Sequence, residues 1–252
     1  MSGHSKWATT KHRKAAVDAK RSALFSKLTR VITVAAKTGG DPNPENNASL
    51  AAAIAKAKSY SLPKDKIDVA IKKAFGAGAD AADFEEVVYE GYAPAGVAIY
   101  VEALTDNRNR TAADVRAAFT RAGGNLGATG SVAFQFERRG EIAIDGAGAP
   151  DEDTLMLLVA DAGGDDLEAI DEGYVVYTAP VDVMRVNAAL EEAGVPVKGA
   201  ELVMEPTTPV AVTVEDAKKV LRLVDRLEES DDIQTVYHTM ELTDEIAAAL
   251  DE

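Results

Sequence analysis

The residues best equipped for chemistry stand at the start of the chain. Met1-Ser2-Gly3-His4-Ser5-Lys6-Trp7-Ala8-Thr9-Thr10-Lys11-His12-Arg13-Lys14 holds four Lys or Arg and no acid. It also carries the only Trp and two of the three His of the 252 residues. Lysine and arginine attract phosphate oxygens and release condensed counterions, and an indole stacks on an unpaired base. The plain alternative is a solvated tail, as at many termini. A tail gains little from the one Trp, which lowers solubility unless it docks. His4, Lys6, Trp7, Lys11, His12, Arg13 and Lys14 are therefore read as a polyanion-binding arm, continued by Lys20, Arg21, Lys27 and Arg30 on the helix that follows.

Two further places have the right residue types. In Thr105-Asp106-Asn107-Arg108-Asn109-Arg110-Thr111, Arg108 and Arg110 stand where a strand ends and a helix begins. Guanidinium groups beside free helix N–H groups suit a phosphate. Simple capping by Asn109 or Thr111 explains the same residues equally well. Gly123-Gly124-Asn125-Leu126-Gly127-Ala128-Thr129-Gly130 leaves a helix and enters a strand, so it is not the dinucleotide fingerprint. A tight turn accounts for it, and it would also admit a close backbone approach. No G-x-x-x-x-G-K-[ST], H-E-x-x-H or G-x-S-x-G occurs, and His238 has no nucleophile motif beside it. No catalytic residue, metal site or cofactor is expected. The acidic stretches, such as Asp151-Glu152-Asp153, read as solvated loops.

Composition narrows the classes further. Hydrophobic residues make up 46% and aromatics only 6%, so cores must rest on Ala, Val, Leu and Ile. With no cysteine, disulfides and thiolate chemistry are excluded. No apolar run reaches the length of a membrane span, and no apolar stretch follows the N-terminal lysines as in a secretory signal. A cytoplasmic protein is expected, with a transit peptide in the basic first forty residues as the minor alternative. Net charge is −15, yet it is segregated. Met1 to Phe75 holds 15 Lys+Arg against 5 Asp+Glu, a net of +10, and Gly76 to Glu252 holds 12 against 37, a net of −25. Such asymmetry marks a cationic binding module on a solubilising body.

The elements that must position these residues follow from periodicity. Leu24, Phe25, Leu28, Val31, Ile32 and Ala35 recur at helical spacing within Lys20–Lys37, with Lys20, Lys27, Arg30 and Lys37 expected to face away. Helices from Asn46 to Ser59 and after Pro63 complete a three-helix bundle. Strands Glu86–Tyr92 and Val97–Leu104, a helix Arg110–Arg121 and a strand Ser131–Glu137 follow. Strand Glu141–Ile144, helix Asp153–Ala162, strands Asp166–Ile170 and Tyr174–Thr178, helix Val181–Ala193 and strand Val197–Met204 give the ferredoxin-like β-α-β-β-α-β order. Pro209–Val214, helix Glu215–Glu229 and strand Ile233–Thr239 complete the interrupted domain. The expectation is an α+β chain with a basic arm and helical bundle at 1–80. A discontinuous α+β domain covers 81–137 with 206–252, and a ferredoxin-like domain is inserted at 138–205.

Several of these segments are long and specific. Gly3-His4-Ser5-Lys6-Trp7, Asn47…Leu50…Ala53-Ile54…Ala57-Lys58…Pro63, Tyr89-Glu90-Gly91-Tyr92-x-Pro94, Leu104-Thr105-Asp106-Asn107-x-Asn109-Arg110-Thr111 and Gly123-Gly124-x-Leu126-Gly127-x-x-Gly130-Ser131-Val132 resemble the YebC/PmpR family over nearly the whole chain. Two departures are small, Thr10 in place of an aliphatic residue and a glycine-poor turn at Ala93-Pro94-Ala95-Gly96. The resemblance implies a three-domain, non-enzymatic regulator of gene expression that binds DNA, expected as a monomer and off the membrane. An alternative the family also implies is a ribosome-associated translation factor that contacts ribosomal or transfer RNA and relieves stalling on proline-rich stretches. The family label leans to DNA. The chemistry leans to RNA, because no helix-turn-helix is evident and an extended arm with a stacking Trp suits irregular RNA. A metal-dependent nuclease is the outsider.

Overall fold

The computed structural model describes residues 17–76, 84–170 and 172–250. Helix α1 (Val17–Gly39) stops where Gly40 enters the left-handed region, its N–H donating back to Ala36. Helix α2 (Ala48–Ser59) is capped by Asn47, whose Oδ1 accepts from Leu50 N at 3.0 Å. The same amide donates to the carbonyls of Ala35 and Asp41, fastening the end of α1 to the start of α2. Pro63 precedes α3 (Lys64–Phe75), where a missing N–H costs nothing. Leu28, Ile32, Ala36, Leu50, Ala53, Ala57, Ile67 and Ala70 are all buried together. Helices of this length and composition hold only through such shared burial.

Next come β1 (Glu85–Tyr92), β2 (Ala98–Thr105), α4 (Arg108–Arg121) and a two-residue β3 (Asn125–Leu126). Strand β4 (Phe136–Asp145), helix α5 (Glu152–Ala162), strands β5 (Asp166–Ile170) and β6 (Gly173–Thr178), helix α6 (Val183–Glu192) and strand β7 (Val197–Pro206) follow. Helix α7 (Val214–Glu228), β8 (Ile233–His238) and α8 (Asp244–Leu250) end the described chain. The chain is α+β, with two four-stranded antiparallel sheets ordered β3-β1-β2-β8 and β5-β6-β4-β7. The second sheet has the β-α-β-β-α-β order read from the sequence.

By packing, Glu137–Glu205 forms one compact unit, and residues 17–136 with 206–250 form another. In the first unit Ile142, Ile144 and Val176 meet Leu155, Val159, Val186 and Leu190 of the two helices. In the second, the first sheet receives Val115 and Phe119 of α4 and Ala217, Val220, Leu223, Val224 and Leu227 of α7. Each buried Val, Leu, Ile or Phe side chain among these contributes about 1.5–3 kcal/mol at most. Return of α7 and β8 to this sheet places the Asp231-Asp232 turn beside the N-terminus of α4.

Some expected elements differ. The alternating segment Ser131–Glu137 is not a strand at its start. Ser131 to Gln135 is a loop with a 3-10 turn at Ala133–Gln135, and one continuous β4 takes in Glu141–Ile144 as well. Alternation fails there because the loop spends its N–H groups on a buried carboxylate instead of a neighbouring strand. Pro209–Val214 contributes a single bridge, Val210 with Met240, and α8 and β3 are additions.

Candidate nucleic-acid interface

His4, Lys6, Trp7, Lys11, His12, Arg13 and Lys14 lie outside the described residues, and Lys20 and Arg21 fall within the first turns of α1. Lys27 and Arg30 correct the sequence reading. Neither is on a free outer face, because α1 is buried along a second side. Lys27 is buried and its Nζ donates to the carbonyl of Glu228 at 2.7 Å. Arg30 Nη1 donates to the carbonyl of Asp231 at 2.8 Å and to Asp232 Oδ1 at 3.0 Å, with the Leu104 carbonyl at 3.4 Å. Its guanidinium also lies 5.0 Å from the centroid of the Phe84 ring. These two cations fasten the bundle to the first sheet, so they are engaged before any phosphate arrives.

Arg108 and Arg110 separate in the same way. Arg108 is 66% exposed and forms one long ion pair, 3.9 Å to Glu85 Oε2. Arg110 Nη2 donates to Asp106 Oδ1 and Asp232 Oδ2, both at 2.8 Å. Neither Asn109 nor Thr111 caps α4. Asn107 does, its Oδ1 accepting from Arg110 N at 3.1 Å. Thr111 turns inward, its hydroxyl 2.7 Å from Asp232 Oδ2 and 2.7 Å from the Thr105 hydroxyl.

Asp232 is thus the hub that the sequence reading missed. Burial pushes its carboxyl up, but hydrogen bonds from Arg110 and Thr111, with the charges of Arg110 and Arg30, outweigh that and hold it below the ordinary carboxylate range. Arg110 is held charged far above physiological pH by the same contacts. Nothing local in Ser230-Asp231-Asp232 announces this role.

The bundle supplies the exposed cations that the hub withholds. Lys58 of α2 and Lys64, Lys66, Lys72 and Lys73 of α3 are exposed, and Lys66 lies 5.3 Å from the Phe25 ring. Val69 and Phe75 on α3 are exposed among them. Their signal was present as lysines between the apolar positions of both helices. Over residues 17–76 there are 11 Lys+Arg against 5 Asp+Glu, a net of +6. Glu137–Glu205 has 4 against 17, a net of −13.

The glycine-rich loop is organised by a second buried carboxylate. Glu90, on β1, accepts from Gly130 N at 2.6 Å and from Val132 N and Ala133 N at 2.8 Å each. Its own carbonyl takes the N–H of Gly127 at 2.8 Å. Gly130 has φ +86, which favours glycine. Beside Glu90, a Cβ on Gly91 would stand 2.5 Å from the Asn125 carbonyl, so only glycine lets β3 pair there.

Among the described residues no group of three or more His, Asp or Glu could hold a metal ion, and no helix is long and apolar enough to cross a membrane. Residues 5–77 match the family model described as the TACO1/YebC protein N-terminal domain, and residues 84–240 match that of the TACO1/YebC second and third domain. The chain is 50% identical over 252 residues to a protein of Beutenbergia cavernae named "Probable transcriptional regulatory protein", covering all of both chains. A relative of the same name in Bifidobacterium longum is 49% identical over 252 residues, again covering all of both chains. The crystal structure of a conserved hypothetical protein from Aquifex aeolicus superposes with a TM-score of 0.83 at 45% identity, over 95% of this chain and 98% of that one. The two matched models together span nearly the whole sequence, and the chain belongs to the TACO1/YebC family.

Proposed function

We propose that this protein is a non-enzymatic, nucleic-acid-binding regulator of gene expression, acting in the cytoplasm as a monomer. The observation that carries the reading is the exposed lysine surface of α2 and α3 on a bundle of net +6, in a chain whose unit Glu137–Glu205 is net −13. A polyanion is drawn to the first and repelled by the second, which fixes which part of the molecule meets it. Residues 1–16 add Lys6, Lys11, Arg13 and Lys14 with no acid, and Trp7 adds a stacking group. The names borne by the relatives favour a role in transcription, hence DNA.

Duplex recognition has one further observation in its favour. Helices α2 and α3 are joined by Tyr60-Ser61-Leu62-Pro63, a short turn in which Ser61 has φ 58 and Leu62 is buried. A turn of this length also joins the two helices of a helix-turn-helix. The arm and its Trp favour the second reading, a translation factor that contacts ribosomal or transfer RNA.

Binding to labelled duplex DNA and single-stranded RNA across a salt series tests the proposal. Replacing Lys64, Lys66, Lys72 and Lys73 with Ala should weaken binding and flatten the log K against log salt slope by about three to four contacts. Replacing Lys11, Arg13 and Lys14 should flatten it by about three. Wild-type protein that binds neither probe at low salt, or that cleaves one with Mg²⁺ or Mn²⁺, refutes the reading.

A further inference from the structure

The loop between β3 and β4 holds a feature that phosphate attraction does not use. Phe134 is 73% exposed, although Val132 and Phe136, two positions to either side, are both buried. The backbone on either side of it is pinned. Ala133 N donates to Glu90 Oε2 at 2.8 Å, and Gln135 N to the Val132 carbonyl at 2.9 Å. The Gln135 side chain donates to the Tyr92 hydroxyl at 2.9 Å, and the Gln135 carbonyl accepts from Thr207 N at 2.9 Å. Tyr92 in turn donates to the Ser131 carbonyl at 3.1 Å. A phenyl ring is thus held in solvent by a loop whose shape is set from beneath by a buried carboxylate.

The loop that carries the ring indicates its occupant, since Gly130 N and Ala133 N converge on the same Glu90 carboxylate. Gly127, Ala128, Thr129 and Gly130 are exposed and nearly without side-chain bulk, so they offer backbone and one hydroxyl. Among the described residues, the N–H groups of Ala128 and Thr129 meet no acceptor. A partner helix or strand would need a contiguous apolar groove, and one exposed ring on a glycine-rich loop is not one. A nucleobase brings a π-face for the ring, and its sugar and phosphate bring oxygens for the loop N–H groups. Bases inside a duplex are already stacked and hide their faces.

We propose that Phe134 is a stacking platform for an unpaired nucleobase, with the Gly127–Gly130 backbone beside it receiving the attached sugar and phosphate. The site deepens the function proposed above and rests on it. Glu90 is a positioning residue here, since it acts through the loop and touches no ligand.

The test uses the full chain with two fluorescein-labelled probes, a twelve-nucleotide single-stranded RNA and a duplex DNA of equal charge. Phe134→Ala should weaken binding of the single strand on the order of tenfold and leave its salt slope unchanged, because stacking releases no counterions. Duplex binding should stay at the wild-type value, and Phe134→Tyr should restore single-strand affinity. With 2-aminopurine in the RNA, the wild type should quench its emission and Phe134→Ala should not. Equal single-strand affinity of Phe134→Ala and wild type overturns the platform while leaving the proposed function standing. Equal loss on both probes overturns the preference for an unpaired base. Wild-type protein that binds neither probe overturns this inference together with the reading it rests on.

Discussion

Replacing Asp232 with Asn removes one charge at the junction of α1, β2, α4 and the turn before β8, at almost constant shape. Its carboxylate is within hydrogen-bond distance of Arg30, Arg110, Thr111 and Thr105, and the residue is 7% exposed. A hydrogen bond to a charged group is worth about 1.5–3 kcal/mol, and breaking a fully buried pair costs about 3–5 kcal/mol. Both figures need discounting, because the Arg30 and Arg110 side chains are 22% and 49% exposed and water can replace part of what they lose. Each also keeps another partner, the Asp231 carbonyl for Arg30 and Asp106 for Arg110. A loss of about 2 kcal/mol in urea unfolding at pH 7 is expected, or roughly 4–8 °C in Tm. The pH dependence is the sharper readout. The folded-state pKa of Asp232 is below its ordinary value, so its stabilisation is present above the ordinary Asp range and disappears as pH falls through the folded value. Asp232→Asn should therefore be less stable than wild type at pH 7 and converge on it as pH falls through the folded-state value, below the ordinary Asp range. An Arg30→Met, Asp232→Asn cycle should show coupling of about 1 kcal/mol. A constant difference across that pH range, or a loss under about 0.5 kcal/mol at pH 7, would refute the hub.

Glu90→Gln turns one acceptor oxygen into a donor facing the loop N–H groups. It should cost about 2 kcal/mol and speed amide exchange at Gly130, Val132 and Ala133, as read by hydrogen-exchange mass spectrometry; unchanged exchange would mean the loop is shaped otherwise. Trp7→Ala should weaken single-strand binding by about 1–3 kcal/mol with an unchanged salt slope, and a change of slope would show that it acts through charge. Excising Arg138–Glu205 by joining Glu137 to Pro206 through a short linker should leave a soluble, cooperatively melting protein. That outcome is expected because, among the described residues, the buried cluster of Glu137–Glu205 draws only on that segment, and loss of all folding would show that the strands are shared.

Elements with one clean period were legible in advance. The stripe Ala217, Val220, Leu223, Val224, Leu227 reads as a helix and is one, and the β-α-β-β-α-β order of Glu137–Glu205 emerged from turn residues and β-branched runs. Ser131–Gln135 misled because apolar and polar residues alternate there for another reason. Val132 anchors the loop, Phe134 faces solvent, and the N–H groups between serve Glu90, some forty positions earlier. Alternation records the chemistry of successive side chains, and only the partners of the N–H groups decide whether the backbone is a strand.

The cations of α1 show the deeper limit. From its own sequence window, Arg30 is indistinguishable from Lys66, since both are long cationic residues between apolar positions of an amphipathic helix. One meets a carboxylate 202 residues downstream and the other is exposed. Helical period specifies a buried stripe but not how many partners the helix has, and α1 has two, its own bundle and the first sheet. Charge summed over a segment does not suffer from this, because an internal ion pair removes one charge of each sign and the surplus must still face water or a ligand. The bundle remains net positive after Lys27 and Arg30 are assigned to the fold, and exposed lysines on α2 and α3 contribute to that surplus. Segment charge therefore points to the bundle as the cationic part of the chain even where the individual residues chosen to represent it are engaged elsewhere.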